Sequence, residues 1–446
     1  MKSILLPAAF AAVLFGMAFS SARADTCTLT LTTPKSVLPE DEKQTICVKV
    51  GIKGFELKSD KQRKPLNVAL VLDRSGSMSG DKIKNARLAA CEAVELLRDD
   101  DIVSVVAYDS DVEVIVPATK KGDGKEILSK INSLNAGGTT ALYEGTKHGA
   151  DEVKKFLDSE HINRVILLSD GQANVGPSSV EELGELGKKL GGEGICVTTF
   201  GLGEGYNEDL MIALAQKSDG NHVFITKASN MTEVFSEEFQ DAAEVVAQEV
   251  SCKLKCEEGI RPVRILNSEG NIDGGTVSFS LNQIYSGRER YVMVEVEVPA
   301  GSDGQSRKVA ACSVTYANMS TNTTEELTAE LSVRFSASDD QIKASVDKQV
   351  SEEYASQVAI LTNMEATALR DAGKVSEARK MLKSNSFFLR SMSDSLGGSA
   401  ALEADAAMND SQEEALGDDS SWNSNRKKMR ANQAAPMKQQ RSGPVK

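Results

Sequence analysis

Side chains with oxygen atoms follow an apolar run early in this sequence. The run spans residues 68–72, and the loop after it places Asp73, Ser75 and Ser77 at alternate positions. Alternate residues of such a loop can point at one centre, so a carboxylate and two hydroxyls are expected to converge there. Hard oxygen donors of this kind suit Mg²⁺, Mn²⁺ or Ca²⁺ and not Zn²⁺. The loop therefore predicts a divalent-cation site. Because hydroxyls neutralise the ion poorly, that site is expected to retain affinity for an anionic ligand.

Later segments carry donors of the same kind. Residues 137–140 form a Gly-Gly-Thr-Thr turn that opens a helical stretch, and Asp170 follows the apolar run 165–168. In open parallel sheets, ligands bind at the carboxyl ends of the strands, so these segments are expected at one edge of a sheet. We therefore predict one octahedral cation site with water ligands and an open position. Its protein groups are Asp73, Ser75, Ser77, Thr140 and Asp170.

The elements that must position these groups are indicated by apolar runs that alternate with helical spacing. Continuous apolar runs are typical of strands buried on both faces. The alternation predicts an α/β fold over residues 65–247, with a doubly wound, mostly parallel, Rossmann-like sheet. The segment 112–116 follows its neighbour after a short turn and is predicted to be the lone antiparallel strand. The other predicted strands lie near residues 68–72, 102–107, 165–168, 195–200 and 222–225.

Alternating apolar and polar residues on both sides of this domain predict β-structure. Residues 25–60 indicate two or three strands, and residues 250–336 have the pattern of a β-sandwich that is short of strands. We therefore expect the N-terminal strands to complete the sandwich, with the α/β domain inserted between its two parts. Residues 340–395 predict a helical hairpin. The segment 397–446 is acidic and then basic with very few apolar residues, which predicts a disordered tail.

The oxygen-bearing segments, in this order, resemble the metal ion-dependent adhesion site of von Willebrand factor type A domains. The resemblance covers roughly residues 66–239 and includes the Asp-x-Ser-x-Ser loop, the Gly-Gly-Thr-Thr turn and a Ser-Asp-Gly strand end. It implies direct ligation of Mg²⁺, or else Mn²⁺ or Ca²⁺, by the hydroxyls and a mainly water-mediated role for the carboxylates. Thr139 is the alternative to Thr140. We prefer Thr140 because the family usually places its threonine just before an Ala-Leu-Tyr-like start of the next helix.

The same resemblance implies how a partner binds. A protein partner is expected to insert an Asp or Glu side chain, or a terminal carboxylate, into the open metal position. Specificity is then expected to come from the rim of the site, at Arg74, Met78, Tyr143 and residues 172–176.

The first residues have the pattern of a secretory signal peptide. Lys2 precedes an apolar stretch over residues 4–19, and an Ala-x-Ala cleavage motif ends at Ala24. We therefore predict a signal peptide over residues 1–24 and a secreted protein, periplasmic or extracellular. No later stretch of the sequence has the length of apolar residues that a membrane-spanning helix needs. The formal net charge of −14 argues against a nucleic-acid partner, which requires a basic surface.

Motifs of common enzyme classes do not occur at the expected places. The chain has only His148, His161 and His222 as histidines, and Met78 stands where the nucleophile serine of a Gly-x-Ser-x-Gly elbow would be. Neither a Gly-x-Gly-x-x-Gly nor a P-loop motif follows the first apolar run of the α/β domain. We therefore predict a secreted, non-enzymatic binding or adhesion protein. The alternative is a structural or assembly component of the cell envelope that binds independently of metal.

Overall fold

The structure, a computed structural model, describes residues 25–58, 63–158, 160–419, 421–437 and 439. The predicted signal peptide lies outside the described residues. The described chain begins with strands that alternate in side-chain burial. They are β1 (Thr28–Thr32), β2 (Val37–Pro39) and β3 (Gln44–Lys53).

The α/β domain follows these strands. Its own strands are β4 (Leu66–Asp73), β5 (Ile102–Tyr108), β6 (Val112–Lys120), β7 (Ile162–Ser169), β8 (Cys196–Leu202) and β9 (His222–Ile225). Its helices are α1 (Asp81–Glu95), α2 (Lys125–Asn132), α3 (Leu142–Lys154), α4 (Val180–Gly192), α5 (Glu208–Lys217) and α6 (Met231–Ala243).

The strands of this domain form a sheet in the order β6-β5-β4-β7-β8-β9. Neighbours pair in parallel, except that β6 runs antiparallel to β5. Strands β4, β5, β7 and β8 are buried along their whole length. Helices α1 and α6 cover one face of the sheet, while α3, α4 and α5 cover the other. The predicted doubly wound, mostly parallel α/β fold is confirmed.

Strands with alternating burial return after α6. They are β10 (Val245–Cys256), β11 (Arg261–Ile265), β12 (Gly270–Asp273), β13 (Thr276–Tyr285), β14 (Glu289–Val298), β15 (Ser306–Asn318) and β16 (Thr323–Ser336). Together with the N-terminal strands they form sheets in the orders β1-β3-β14-β11 and β12-β13-β10-β15-β16-β2. The apolar faces of the two sheets pack on each other. Because β3 pairs with β14 along its whole length, the α/β domain is an insertion within this sandwich.

The chain continues with helices. They are α7 (Asp339–Ala344), α8 (Lys348–Asp371), α9 (Val375–Ser395), α10 (Ala400–Ala415) and α11 (Trp422–Met437). Within the described residues, no helix combines the length and apolar character that crossing a membrane requires.

The prediction of a disordered tail over residues 397–446 is wrong for α10 and α11. Leu402 and Ala406 of α10 are buried against α8 and α9. Met429 of α11 is buried beside Leu382, and the basic residues of α11 pair with acidic groups of the α/β domain. Disorder was predicted from composition, because the segment has few large apolar residues. Composition does not reveal helices that dock through alanine, a few apolar anchors and ion pairs with remote segments.

Candidate metal centre

Asp73 ends β4 at the centre of the sheet, where the chain leaves the strand at its carboxyl edge. Its side chain is completely buried. Asp73 Oδ1 accepts a hydrogen bond from the backbone N–H of Ser75 (2.8 Å), and Oδ2 accepts one from the Ser169 hydroxyl (2.7 Å). Burial raises the pKa of Asp73 to about 6, and the hydrogen bonds from Ser169 and Ser75 limit that rise. A nearby cation would favour the ionised carboxylate.

The loop after Asp73 turns sharply so that Ser75 and Ser77 face the same space. Their hydroxyl oxygens lie 3.0 Å apart. In an octahedral Mg²⁺ site with bonds of about 2.1 Å, neighbouring oxygens are separated by about 3 Å. The spacing of these hydroxyls therefore fits two adjacent ligand positions on one ion. Met78, which follows in a 3₁₀ turn, is buried in the core between α1 and the sheet, so its predicted place on the rim is wrong.

The Gly-Gly-Thr-Thr turn is fastened to this loop by backbone hydrogen bonds. The N–H of Gly76 donates to the carbonyl of Gly138 (3.0 Å), and the N–H of Gly137 donates to the carbonyl of Arg74 (2.7 Å). Gly138 has a φ of +75°, and a Cβ there would lie 2.9 Å from Ser110 Oγ. A residue with a side chain would be strained at this φ and would also contact Ser110 too closely. Glycine is therefore required here, and this residue fixes the path of the turn.

The two threonines of this turn face different surroundings. Thr140 is buried, and its backbone N–H donates to Asn174 Oδ1 (2.9 Å). Thr139 is exposed, and its hydroxyl lies 2.9 Å from Ser110 Oγ. A Cβ built on Gly171 would lie 3.1 Å from Thr140 Oγ1 and 3.6 Å from Ser77 Oγ. The hydroxyls of Thr140 and Ser77 thus border one cradle, which glycine at position 171 leaves open.

Asp170 follows β7 and completes the group. Its buried Oδ1 accepts a hydrogen bond from the Ser77 hydroxyl (2.6 Å), and its Oδ2 forms an ion pair with Lys82 of α1. Asp73, Ser75, Ser77 and Asp170 are therefore linked by hydrogen bonds, and Thr140 adjoins them across Gly171. No sequence motif indicated Lys82. Ser169 belongs to the Ser-Asp-Gly strand end, but no role was predicted for it.

The donor chemistry fits a hard divalent cation. The group offers hydroxyl and carboxylate oxygens, which are the ligands that Mg²⁺, Mn²⁺ and Ca²⁺ prefer. In the part of the chain that the structure describes, no group of three or more His, Cys, Asp and Glu side chains is placed to hold a metal. A site rich in nitrogen or sulfur ligands, as zinc prefers, is therefore not found among these residues.

The rim of this centre carries its own ion pairs. Arg74 Nε lies 3.0 Å from Asp109 Oδ2, and its Nη1 lies 2.8 Å from Glu113 Oε2. On the other side, Gln172 Nε2 donates to the carbonyl of Gly205 (2.6 Å). These contacts hold Arg74 and Gln172 beside the centre and connect it to the loops after β5 and β8.

The α/β domain resembles known proteins in sequence. Residues 67–238 match the family model of the von Willebrand factor type A domain. An uncharacterized protein of Synechocystis sp. is 32% identical over 184 residues, which cover 41% of this chain and 43% of that protein. The uncharacterized protein YfbK of Escherichia coli is 29% identical over 219 residues, which cover 49% of this chain and 38% of that protein. The chain thus spans less than half the length of these relatives.

A solved structure shares more of the architecture. The von Willebrand factor type A protein from Catenulispora acidiphila superposes with a TM-score of 0.68 at 16% identity, over 84% of this chain and 88% of that one. At this identity the likeness shows a common fold. From the matching family model and the common fold, residues 67–238 of this chain are a von Willebrand factor type A domain.

Proposed function

We propose that this protein is a secreted, non-enzymatic binding protein whose type A domain holds a divalent cation and, through it, an acidic group of a protein partner. The observation that carries the proposal is the convergence of hydroxyls on the cradle beside Gly171. Ser77 and Thr140 border that cradle, and Ser75 lies 3.0 Å from Ser77. The predicted signal peptide at residues 1–24 supports secretion.

The residues of the centre have two proposed roles, which are direct contact with the cation and the supply of negative charge. Ser75, Ser77 and Thr140 would hold the cation through their hydroxyl oxygens. Asp73 and Asp170 would supply negative charge from behind, because hydrogen bonds from neighbouring hydroxyls fix their carboxylates. When bound, the cation supplies a Lewis-acid position that accepts a carboxylate oxygen of the partner. Neutral hydroxyl ligands leave most of its charge available for that carboxylate.

The histidines support a binding function over a hydrolytic one. His148 Nδ1 is 2.8 Å from the carbonyl of Glu144, and His161 Nδ1 is 2.7 Å from Asp158. His222 is buried between Thr199 and Tyr206. Each ring is thus engaged by groups outside the cluster of Ser and Asp residues, so none of these histidines is placed to activate a serine of the cluster.

Titration of Mg²⁺ and Mn²⁺ into the chelator-treated full chain, followed by calorimetry, tests the cation site. The adjacent threonines provide a matched pair of variants. Thr140→Val removes a predicted ligand and is expected to weaken cation binding at least about tenfold. Thr139→Val makes the same chemical change on the exposed side of the turn and is expected to leave binding unchanged. A folded wild-type chain that binds neither cation would refute the proposal.

Capture of immobilised peptides tests the role of the acidic partner. Peptides that present one Asp or Glu are compared with the same peptides carrying Asn or Gln. Retention of the acidic peptides by the Mn²⁺-loaded protein, with release by chelator, is the expected result. Equal retention with and without metal would favour the alternative of a metal-independent component of the cell envelope.

A further inference from the structure

Lys82 places an ammonium group beside the metal centre. It is the second residue of α1, and its Nζ forms an ion pair with Asp170 Oδ2. The Asp170 side chain is 0% exposed, whereas that of Lys82 is 37% exposed. Lys82 is therefore the partly exposed member of a pair whose other member is buried among the predicted donors.

Other charged residues near the rim form ion pairs apart from the predicted donors. Arg74 pairs with Asp109 and Glu113, and these contacts involve none of the predicted metal donors. Among the described residues, the charged side chains that hydrogen-bond within the donor cluster are Asp73, Asp170 and Lys82. With both carboxylates ionised, their charges sum to about −1 by simple counting, a divalent cation changes the sum to about +1, and one carboxylate then brings it to about zero.

We propose that Lys82 sets the charge of the metal centre, so that it weakens cation binding and strengthens binding of an anionic ligand to the loaded centre. Without Lys82 the same counting gives about −2 for the empty centre, about zero with the cation and about −1 after a carboxylate binds. The empty centre then attracts a cation more strongly, while the loaded centre no longer attracts an anion. Lys82 thus lowers the affinity of the centre for the metal and raises the affinity of the loaded centre for the acidic partner.

The position of Lys82 also allows it to contact the ligand. A cation bound beside Asp170 neutralises its carboxylate, so the attraction that holds the ammonium group of Lys82 at Oδ2 becomes weaker. Its flexible four-carbon stem and its solvent contact let it turn to the incoming carboxylate. A carboxylate ligand would then be bound by the cation on one side and by Lys82 on the other. This inference rests on the proposed function of the site.

Calorimetry and relaxation measurements on the full chain separate the two effects. Calorimetry gives the dissociation constant for Mn²⁺. Titration of acetate into the Mn²⁺-loaded protein, followed by water-proton relaxation, reports displacement of a metal-bound water by a carboxylate. Lys82→Met, which keeps the length of the side chain and removes its charge, is expected to bind Mn²⁺ about tenfold more tightly and acetate several-fold more weakly.

Two further variants identify the cause. Lys82→Arg keeps the charge and is expected to leave both constants near those of the wild type. Lys84→Met removes the same charge two residues further along α1, where Lys84 pairs with Asp81 at 3.3 Å and its side chain is 65% exposed, and is expected to change neither constant. The difference between Lys82→Met and the wild type is also expected to become smaller at high salt, because Lys82 is partly exposed and salt screens its charge.

The results distinguish failure of this inference from failure of the cation site. Equal constants for Lys82→Met and Lys84→Met, or constants that both move in the same direction, would overturn the role of Lys82 while leaving the site intact. Absence of Mn²⁺ binding by folded wild type, Lys82→Met and Lys82→Arg alike would overturn both. Opposite shifts of the two constants in Lys82→Met, restored by Lys82→Arg, would establish the role.

Discussion

Lys427 of α11 gives a direct check on the docking of the C-terminal helix. Its side chain is 2% exposed, and its Nζ donates to the Tyr206 carbonyl (2.7 Å) and forms an ion pair with Glu208. The same Nζ lies 4.7 Å from the centroid of the Tyr206 ring. Arg426 binds Glu208 as well, and it also pairs with Asp209 (2.6 Å). The basic face of α11 thus sits on the first turn of α5.

Replacing Lys427 by Met removes one partner of a buried ion pair and leaves Glu208 with less compensation. Loss of one partner of such a pair costs about 3–5 kcal/mol. Because Arg426 still binds Glu208, we expect the lower limit, about 3 kcal/mol. The cost falls first on the docking of α11, because its contacts with α5 are the ones that change. A loss of about 3 kcal/mol corresponds to about a hundredfold greater population of the undocked helix.

Amide hydrogen exchange measures this population segment by segment. For Lys427→Met, protection of residues 422–437 is expected to fall about a hundredfold, while protection of β4 and β7 stays as in the wild type. Lys428→Met makes the same change at the adjacent, exposed position and is expected to leave protection unchanged. Equal protection of α11 in Lys427→Met and Lys428→Met would refute the assignment of Lys427 as the anchor of this helix.

Three further predictions concern the centre, the buried histidine and a buried ion pair of the α/β domain. Gly171→Ala is expected to abolish Mn²⁺ binding in calorimetry, because its methyl group would enter the cradle within 3.1 Å of Thr140 Oγ1. The midpoint of urea unfolding is expected to change little. Unchanged Mn²⁺ binding would exclude the cradle as the cation position. Burial, with Arg430 and Lys427 nearby, lowers the pKa of His222 to about 3, so the unfolded chain takes up a proton below pH 6.5 and the folded chain does not. Stability is therefore expected to fall by about 2 kcal/mol from this group between pH 7 and pH 5, and His222→Gln should remove that share of the pH dependence of urea unfolding. Arg164→Met is expected to cost about 3–5 kcal/mol in the same assay, because Glu238 would stay buried without its partner, and the added change Glu238→Gln should recover part of that loss if the ion pair is the cause.

The α/β domain was predictable because its signal is local. Residues 68–72 are apolar without interruption, and the structure buries every one of them within β4. A strand of this kind needs cover on both faces, which parallel strands with crossover helices provide. The antiparallel β6 followed from the short turn before it, which is too short for a crossover. Sequence spacing alone therefore sufficed for the class of fold.

The donor cluster was accessible from sequence for a related reason. Each predicted donor lies at a strand end, or in a loop or turn next to a strand end or helix start, so the topology of the sheet brings these groups together. The sequence could not supply the contacts that fix their side chains, such as the hydrogen bond from Ser169 to Asp73. Met78 was assigned to the rim because its loop was expected on the surface, yet the turn at residues 76–78 directs its side chain into the core. Binding of a cation by the cluster stays a prediction.

Pairing between distant segments explains what the sequence did not reveal. Lys427 and Glu208 are separated by 219 residues, and no local pattern in the C-terminal segment indicates an acidic partner for its lysines. A run of charges is compatible with a solvated chain and equally with a helix that meets a complementary surface, and composition cannot separate the two. Here the acidic residues Glu208 and Asp209 lie at the start of α5, where no basic residue of α5 itself neutralises them. Arginine and lysine of α11 supply that neutralisation, so the basic character that suggested disorder is what holds the helix in place.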